Sequence, residues 1–410
     1  MARVLFVSYD GMTDPLGQSQ VIPYLRGLSA KGHEITILSC EKHHNYNRNR
    51  ELIENILREN KIRWVTVFYR KNPPVLSTVL DIRELKREAN QLFAERKFDI
   101  VHCRSYISAF IGLWAKKKFG SKFLFDIRGF WADERVDGEL WNLKNPLYKF
   151  IYKYFKLKEI EFFSRADYSI SLTFKARDII HSWNRIQNQP IPIEVIPCCV
   201  DTDLFDSEKI SSEELDLLRN EFGISKNDFV LSYVGSVGTW YLLDKMLAFF
   251  VRLKQKKGNA RFLFITPEPA DYIFDHAARY GLTNQEIIIT EAKRNEVPAF
   301  LKLSAASVFF IKPAFSKAAS SPTKQGEIMS LGIPIICNKG IGDTDLIIRK
   351  YEAGTIVNEF NEQEYDRAVS EIDKFSTDAA IRIRKGAEEF YALEKGVAQY
   401  ESVYLKLMNS

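Results

Sequence analysis

The sequence predicts an α/β protein made of two doubly wound parallel sheets. Three observations carry that expectation. Strand-like apolar runs alternate with helix-periodic runs almost throughout, the pattern of βαβ units. The alternation stops at a polar turn near residue 200 and then restarts. The chain has 410 residues, more than one ordinary core accommodates.

In order along the chain, "RVLFVSY" reads as a strand and "GQSQVIPYLRGLSAKG" as a helix closing on Gly32. "HEITILS", "DIVHCRS", "KFLFDIRG" and "ADYSISLT" follow as strands with helices between them. "IEVIPCCVDTDLF", residues 193–205, ends a strand at Pro197 and enters a turn. "SSEELDLLRNEFGI" is helical, and "FVLSYVGSVG", "ARFLFIT", "EIIIT", "ASVFFIKP", "IPIICN" and "GTIV" supply a second set of strands. The final "LEKGVAQYESVYLKLMNS" is an amphipathic helix, with Val397, Tyr400, Val403, Tyr404 and Leu407 on one face. These signals set domains at 1–197 and 198–390, with 391–410 as a terminal helix packing back across the hinge. Ligands of such sheets lie outside the carboxyl ends of the strands, so a cleft between the domains is the expected site.

Bulk composition narrows the classes. The chain is 46% hydrophobic and 27% charged, which excludes disorder. A net charge of +5 favours an anionic ligand or surface, and no Lys/Arg block suited to nucleic acid is present. "MARVLFVSYD" is too short for a membrane span and lacks a signal-cleavage pattern. Five cysteines without Cys-x-x-Cys spacing fit a reducing cytosol, and six histidines show no ligand spacing.

Four loops carry the chemistry. The first is "SSPTKQGEIMSLGIPII", Ser320 to Ile336. Ser321 is expected to cap a helix, Pro322 suits its first turn and Gly332 ends it. The helix start offers free amides and a partial positive charge, to which Lys324 adds a full one. Glu327 shares a face with Lys324 and is placed to accept two ribose hydroxyls. The same residues also read as a well-capped helix with a Lys–Glu surface pair. The second loop, "YVGSVGTW", has Gly235 and Gly238 placed for close approach to a pyrophosphate, or simply for a turn. The third, "DGMTDPLGQSQ", puts Gly17 before a helix opening with Gln18 and Ser19. In the fourth, "DIRGFWADERVD", Arg128, Asp133, Glu134 and Arg135 crowd a strand end beside Trp131. That is a polar pocket or a surface ion-pair network.

The four loops in this order resemble the retaining GT-B glycosyltransferases of the group 1, or family 4, type. "YLRGLSAKGHEITILS", "FDIVHCRS", "VIPCCVDTDLF" and the Ser320–Ile336 segment are each similar to segments of that family, over nearly the whole chain. The likeness points most to bacterial members that move N-acetylated deoxysugars onto lipid-linked acceptors. It implies a GT-B fold and transfer from a nucleoside diphosphate sugar, UDP-linked before GDP-linked, to a glycan or lipid-linked acceptor. The setting is bacterial surface polysaccharide or glycoconjugate assembly. It implies no metal and no cofactor besides the donor. The two Asp-Thr-Asp runs, at Asp201–Asp203 and Asp343–Asp345, fall in loops of a metal-free family.

The likeness also implies roles. Ser321, Thr323 and Lys324 hold the donor diphosphate and Glu327 the ribose, with Gly17, Gly235, Ser236, Gly238 and Arg294 as further donor contacts. Lys324, Glu327 and Arg128 carry catalysis, without a protein base, because a donor phosphate oxygen is thought to assist the acceptor. His102, Arg104, Trp131 and Asp133 are acceptor-side candidates. The sequence departs from the family at three places. The first of its two glutamates is Ala319. An expected Arg is Ser236, with Lys245 off the usual spacing. The family's active-site His falls at or near Arg128.

"NPLYKFIYKYFKLKE", residues 145–159, sets Leu147, Phe150, Ile151, Tyr154 and Phe155 against a face of Tyr148, Lys149, Tyr152, Lys153 and Lys156. That pattern suits an anionic membrane surface and a cytoplasmic protein peripheral to the inner face. It equally suits a core helix with a solvated lysine face. Two rival functions stay open: a non-catalytic subunit that kept the fold, and a sugar-nucleotide 2-epimerase, although the early Arg-Pro-Glu pattern of the latter is absent. A dehydrogenase is disfavoured, since no Gly-x-Gly-x-x-Gly follows the first strand.

Overall fold

The computed structural model describes residues 1–73, 75–375 and 377–410. The chain divides into two compact units, Met1–Pro197 with Leu393–Ser410, and Cys198–Ala392.

The first unit holds seven strands: β1 (Arg3–Ser8), β2 (Glu34–Glu41), β3 (Arg63–Phe68), β4 (Ile100–Arg104), β5 (Lys122–Asp126), β6 (Tyr168–Ser171) and β7 (Ile193–Val195). They pair in parallel in the order β3-β2-β1-β4-β5-β6-β7. The order reverses between β1 and β4, so the loops after these strands part and leave a crevice. Buried runs such as Val4–Val7 and Phe123–Phe125 are apolar on both faces because helices cover both sides of the sheet.

The second unit repeats the plan with β8 (Phe229–Val234), β9 (Ala260–Ile265), β10 (Ile287–Thr290), β11 (Ala306–Phe309), β12 (Ile335–Asn338) and β13 (Gly354–Val357). The order is β10-β9-β8-β11-β12-β13, again parallel. Its switch point lies between β8 and β11, at the mouth of the Gly235 loop.

The last helix, Leu393–Met408, belongs to the first unit and buries Val397, Tyr400, Val403, Tyr404 and Leu407. It lies on the helix Ile22–Ala30, where Gly27 permits the approach. A Cβ there would stand 2.6 Å from Val397 Cγ2. Tyr400 Oη donates to Asp126 Oδ2 at 2.8 Å, and Tyr404 Oη pairs with His102 Nδ1 at 2.8 Å.

Local structure corrects four readings. The helix expected as one piece from Gly17 is two, Pro15–Gln20 and Ile22–Ala30, broken at Val21. Pro23 lacks the N–H that a continuous helix would need there. Gly17 therefore sits inside a helix, packed against Gly11 and Met12, where a Cβ would meet Gly11 O at 2.2 Å. The charged stretch after Gly129 is a helix, Trp131–Asp137, rather than a loop. Ser321 does not cap the next helix. The cap position of Thr323–Ser330 is Pro322, without a side-chain bond, and Ser321 Oγ accepts the Cys198 amide at 3.1 Å.

Candidate functional site

The site in the second unit is built on one short helix and two loops. Thr323–Ser330 ends in a Schellman turn. Gly332 (φ +72°) donates to Met329 O at 2.9 Å and Ile333 to Ile328 O at 3.2 Å. Its seven residues Lys324–Ser330 are all buried, so it is a core element and not a surface helix. Lys324 is 8% exposed and Glu327 6%, which rules out the surface pair that their spacing also allowed.

Lys324 lies in an unusual environment. Its Nζ stands 3.6 Å from the Tyr241 ring centre and 4.2 Å from that of Tyr233, and it donates to Tyr233 Oη at 3.2 Å. No carboxylate among the described residues pairs with it. Burial pulls its pKa down to about 7, against a smaller opposing effect from Glu327. An ammonium held by two aromatic faces, with no counter-ion, is a site prepared for an anion.

The Gly235 loop forms the open side. Gly235 (φ +105°) would place a Cβ 3.3 Å from Lys324 Nζ, so a side chain there is both strained and obstructive. Its amide is taken by Ile265 O at 2.9 Å, whereas those of Ser236 and Val237 reach no acceptor among the described residues. Tyr233 Oη donates to Ser236 O at 2.6 Å, which ties this loop to the lysine cage. Gly238 (φ +145°) is exposed on the same turn. The amides of Thr323 and Lys324, in the first turn of the helix, likewise reach no acceptor among the described residues.

Glu327 lies near enough to act on the charge of both Lys324 and Tyr241, but its hydrogen bond goes to another group. Its Oε1 accepts from Arg294 Nη1 at 2.5 Å, and Oε2 makes no hydrogen bond with a described residue. The Arg294 guanidinium rests over Phe205 at 4.7 Å, which fixes the carboxylate while leaving one oxygen unused. Of the sequence candidates, the structure brings Lys324 beside Gly235 and Glu327 beside Arg294. Sequence reasoning did not single out Tyr233 and Tyr241, because the first reads as strand core and the second as loop.

The remaining candidates lie in the first unit, in two places. His102, Arg104 and Arg128 gather at the ends of β4 and β5. Asp126 Oδ2 lies 3.6 Å from His102 Nε2 and 3.7 Å from Arg128 Nη1, and Arg104 Nε donates to Asp10 Oδ2 at 3.2 Å. Burial pushes the Asp126 carboxyl up, but Arg128, His102 and Arg104 outweigh it and hold it below its ordinary value. Burial also keeps His102 neutral to a lower pH than usual, against the pull of Asp126. Arg128 adopts φ +56°, a left-handed conformation costly for a residue with a Cβ.

Trp131 and Asp133 are apart from that group. Trp131 packs against Phe155 at 4.7 Å and Trp141 at 5.4 Å. Asp133 accepts from Tyr152 Oη and from Lys156 Nζ, each at 2.8 Å. Tyr152 and Lys156 therefore face inward and leave the basic face foreseen for residues 145–159. Their helix runs Pro146–Arg165 and buries Ile151 and Phe155, while Phe150 is 70% and Leu147 55% exposed. No helix among the described residues is long and apolar enough to cross a membrane. Of the two Asp-Thr-Asp runs, the first is a turn: Asp201 Oδ1 accepts the amides of Asp203 and Leu204 at 3.1 and 3.0 Å.

Two parallel doubly wound units, with a buried lysine caged by two tyrosines at the switch point of the second, define a GT-B protein. Comparison with known proteins specifies the class. Residues 19–204 match Glycosyltransferase Family 4 and residues 216–389 match Glycosyl transferases group 1. The chain thus belongs to the glycosyltransferases that join these two domains. Among solved structures, a glycosyltransferase from Rickettsia africae shares the fold at TM-score 0.72 and 15% identity, over 99% of each chain. Anabaena Alr3699/HepE, solved with UDP and glucose, is similar at TM-score 0.71 and 11% identity, over 99% of this chain and 100% of that one. WaaG, a glycosyltransferase of lipopolysaccharide biosynthesis, is similar at TM-score 0.64 and 13% identity, over 97% and 99%. No curated protein sequence matches the chain.

Proposed function

We propose that this protein transfers a sugar, with retention, from a nucleoside diphosphate sugar to a glycan or lipid-linked acceptor in surface polysaccharide or glycoconjugate assembly. The observation that carries the reading is the buried, uncompensated Lys324 ammonium facing the Gly235 turn. Charge develops on the leaving diphosphate in the transition state, and a preorganised cation with free amides stabilises it there. Lys324, the amides of Ser236 and Val237, and those at the helix start hold the diphosphate. Glu327 Oε2 takes the ribose hydroxyls. Arg128, Gly17, Ser321, Thr323 and Gly238 remain donor-side candidates, and His102, Arg104, Trp131 and Asp133 acceptor-side ones. No protein group is assigned as the base. UDP is favoured because the similar Anabaena protein was solved with it. The donor is the only small molecule the reading requires, without metal.

A panel of UDP, GDP, dTDP, ADP and CMP, with and without added divalent metal, tests this. The matching diphosphate at about a hundred times its dissociation constant adds roughly 2.7 kcal/mol of stability, a clear thermal shift. A shift with one diphosphate, equal with and without metal, is expected. No shift with any of them removes the reading. The anomeric configuration of the product, read by NMR, decides retention. One observation favours a non-catalytic subunit: Ala319, where the family resemblance puts a sugar-binding Glu, is 1% exposed and offers no polar group. Diphosphate binding without turnover on any donor would select it.

The helix Pro146–Arg165 supports a peripheral membrane contact. Leu147, Phe150, Tyr154 and Leu157 are exposed together with Lys149 and Lys153, an apolar face flanked by cations. Co-sedimentation with vesicles rich in anionic lipid is the check. Phe150→Ser with Leu147→Ser should release most of the bound protein, and salt should release it further. Unchanged binding in that double variant assigns the contact to another surface.

A further inference from the structure

Arg135 is the one candidate cation of the first unit to which the reaction assigns no role. It lies on the helix Trp131–Asp137, with its guanidinium carbon 4.2 Å from the centre of the Trp131 ring and 5.6 Å from that of Trp141. Its Nε is buried without a hydrogen-bond acceptor, and its side chain forms no ion pair or hydrogen bond with any described residue. The neighbours that act on its charge are Glu134, Tyr69 and Tyr9, and burial depresses its pKa in spite of all three. Tyr9 follows β1, Tyr69 follows β3, and the Arg135 helix follows β5. All three therefore sit at the carboxyl ends of strands, where doubly wound sheets receive ligands. Tyr9 Oη is committed to Asp81 Oδ2 at 2.8 Å, whereas the Tyr69 hydroxyl has no partner among the described residues.

We propose that Arg135, stacked on Trp131, is the anchor for a phosphoryl group on the acceptor. The stack fixes the plane of the guanidinium and leaves its terminal N–H groups free, the fork that phosphate oxygens match. Arg135 is only partly buried, yet its Nε is enclosed without an acceptor, which leaves the guanidinium held by stacking alone. The proposal rests on the transferase reading for the word acceptor, and on the geometry alone for the phosphoryl group. The phosphoryl group arrives on a soluble sugar phosphate or on a lipid, and the test separates the two.

Titrations are made on the full chain carrying Lys324→Met, so that the cationic cage of the second unit does not respond, and for vesicles also Leu147→Ser and Phe150→Ser, so that the peripheral helix does not. Inorganic phosphate is the soluble probe, and vesicles of phosphatidic acid in phosphatidylcholine are the lipid probe. Adding Arg135→Gln should weaken phosphate binding about tenfold or more, the loss of a charge-assisted bidentate contact. Arg135→Lys, which keeps the charge and loses the fork and the stack, should fall between. It also serves if the glutamine variant does not fold. A parallel loss of vesicle binding identifies a lipid-borne phosphoryl group, and vesicle binding unchanged beside lost phosphate binding identifies a soluble one. Phosphate and vesicle binding both unaltered by Arg135→Gln, or phosphate binding absent from the start, overturns the proposal. The thermal shift with UDP is measured on Arg135→Gln alone and should persist. If UDP fails to shift the wild type as well, the transferase reading falls while the phosphate result still stands or falls by itself.

Discussion

Lys324→Met should make the protein more stable and nearly inactive. Turnover should fall roughly a hundredfold to a thousandfold, the usual cost of removing one preorganised charge from a developing anion. Stability should rise by about 1–2 kcal/mol just below pH 7, because an ammonium buried without a carboxylate partner is replaced by an apolar chain of similar length. The sign follows from the depressed pKa, about 7 in the fold against the ordinary lysine value of 10.5 when unfolded. Below 7 both states carry the proton, and the native state bears the full penalty of the buried charge. Between 7 and 10.5 the unfolded state binds more proton, so the stability of the wild type climbs with pH. The advantage of the methionine variant should therefore shrink across that window. Denaturant titrations at several pH values, together with initial rates, are the check. A variant that loses stability and activity together would make Lys324 a packing residue.

The same lysine sets how binding depends on pH. A diphosphate beside Nζ favours the charged form, so the complex holds the proton to a higher pH than the free site. Binding takes up a proton once the free lysine is neutral. Affinity should weaken roughly tenfold per pH unit above about 7, until the pKa of the complex is reached. Calorimetry in two buffers of different ionisation heat counts the proton directly.

The parallel sheets were legible because strands such as "RFLFI" are apolar on both faces and stand between helix-periodic runs, a pattern few other folds produce. The helix that carries Lys324 and Glu327 was legible from Pro322 before it and Gly332 after it. Its surroundings were not. Tyr233 and Tyr241 make the cage, yet in "LSYVGSVGTWYLL" they read as strand core and loop. Pattern alone gives no sign that their rings meet a lysine distant in sequence. Ser321 occupied the place of a cap in sequence but was drawn off by the Cys198 amide, a partner only the tertiary fold supplies. In "DERVD" opposite charges lie side by side and suggest mutual pairing. Instead Asp133 turns to Lys156 and Arg135 to Trp131, because a helix sends neighbouring residues to different faces. Periodicity shows which face a residue occupies and not what waits opposite.

Glu327→Ala should weaken nucleotide binding about tenfold to a hundredfold, in keeping with one charge-assisted hydrogen-bonded contact. The reason lies in how its two oxygens are used. Arg294 holds Oε1 and rests on Phe205, so the carboxylate is oriented before any ligand arrives, and Oε2 is left for a vicinal diol. Arg294→Ala keeps Glu327 and loses only that orientation, so its effect should be smaller. The double variant should bind about as weakly as Glu327→Ala alone, since two residues acting through one oxygen pair do not add. If Arg294 also reaches the diphosphate, the double variant falls further, and the excess measures that contact. Binding is compared for the nucleoside diphosphate and its 2′-deoxy counterpart. The wild type should discriminate between them, and Glu327→Ala should bind both alike. Discrimination that survives in Glu327→Ala would place the ribose against a different residue.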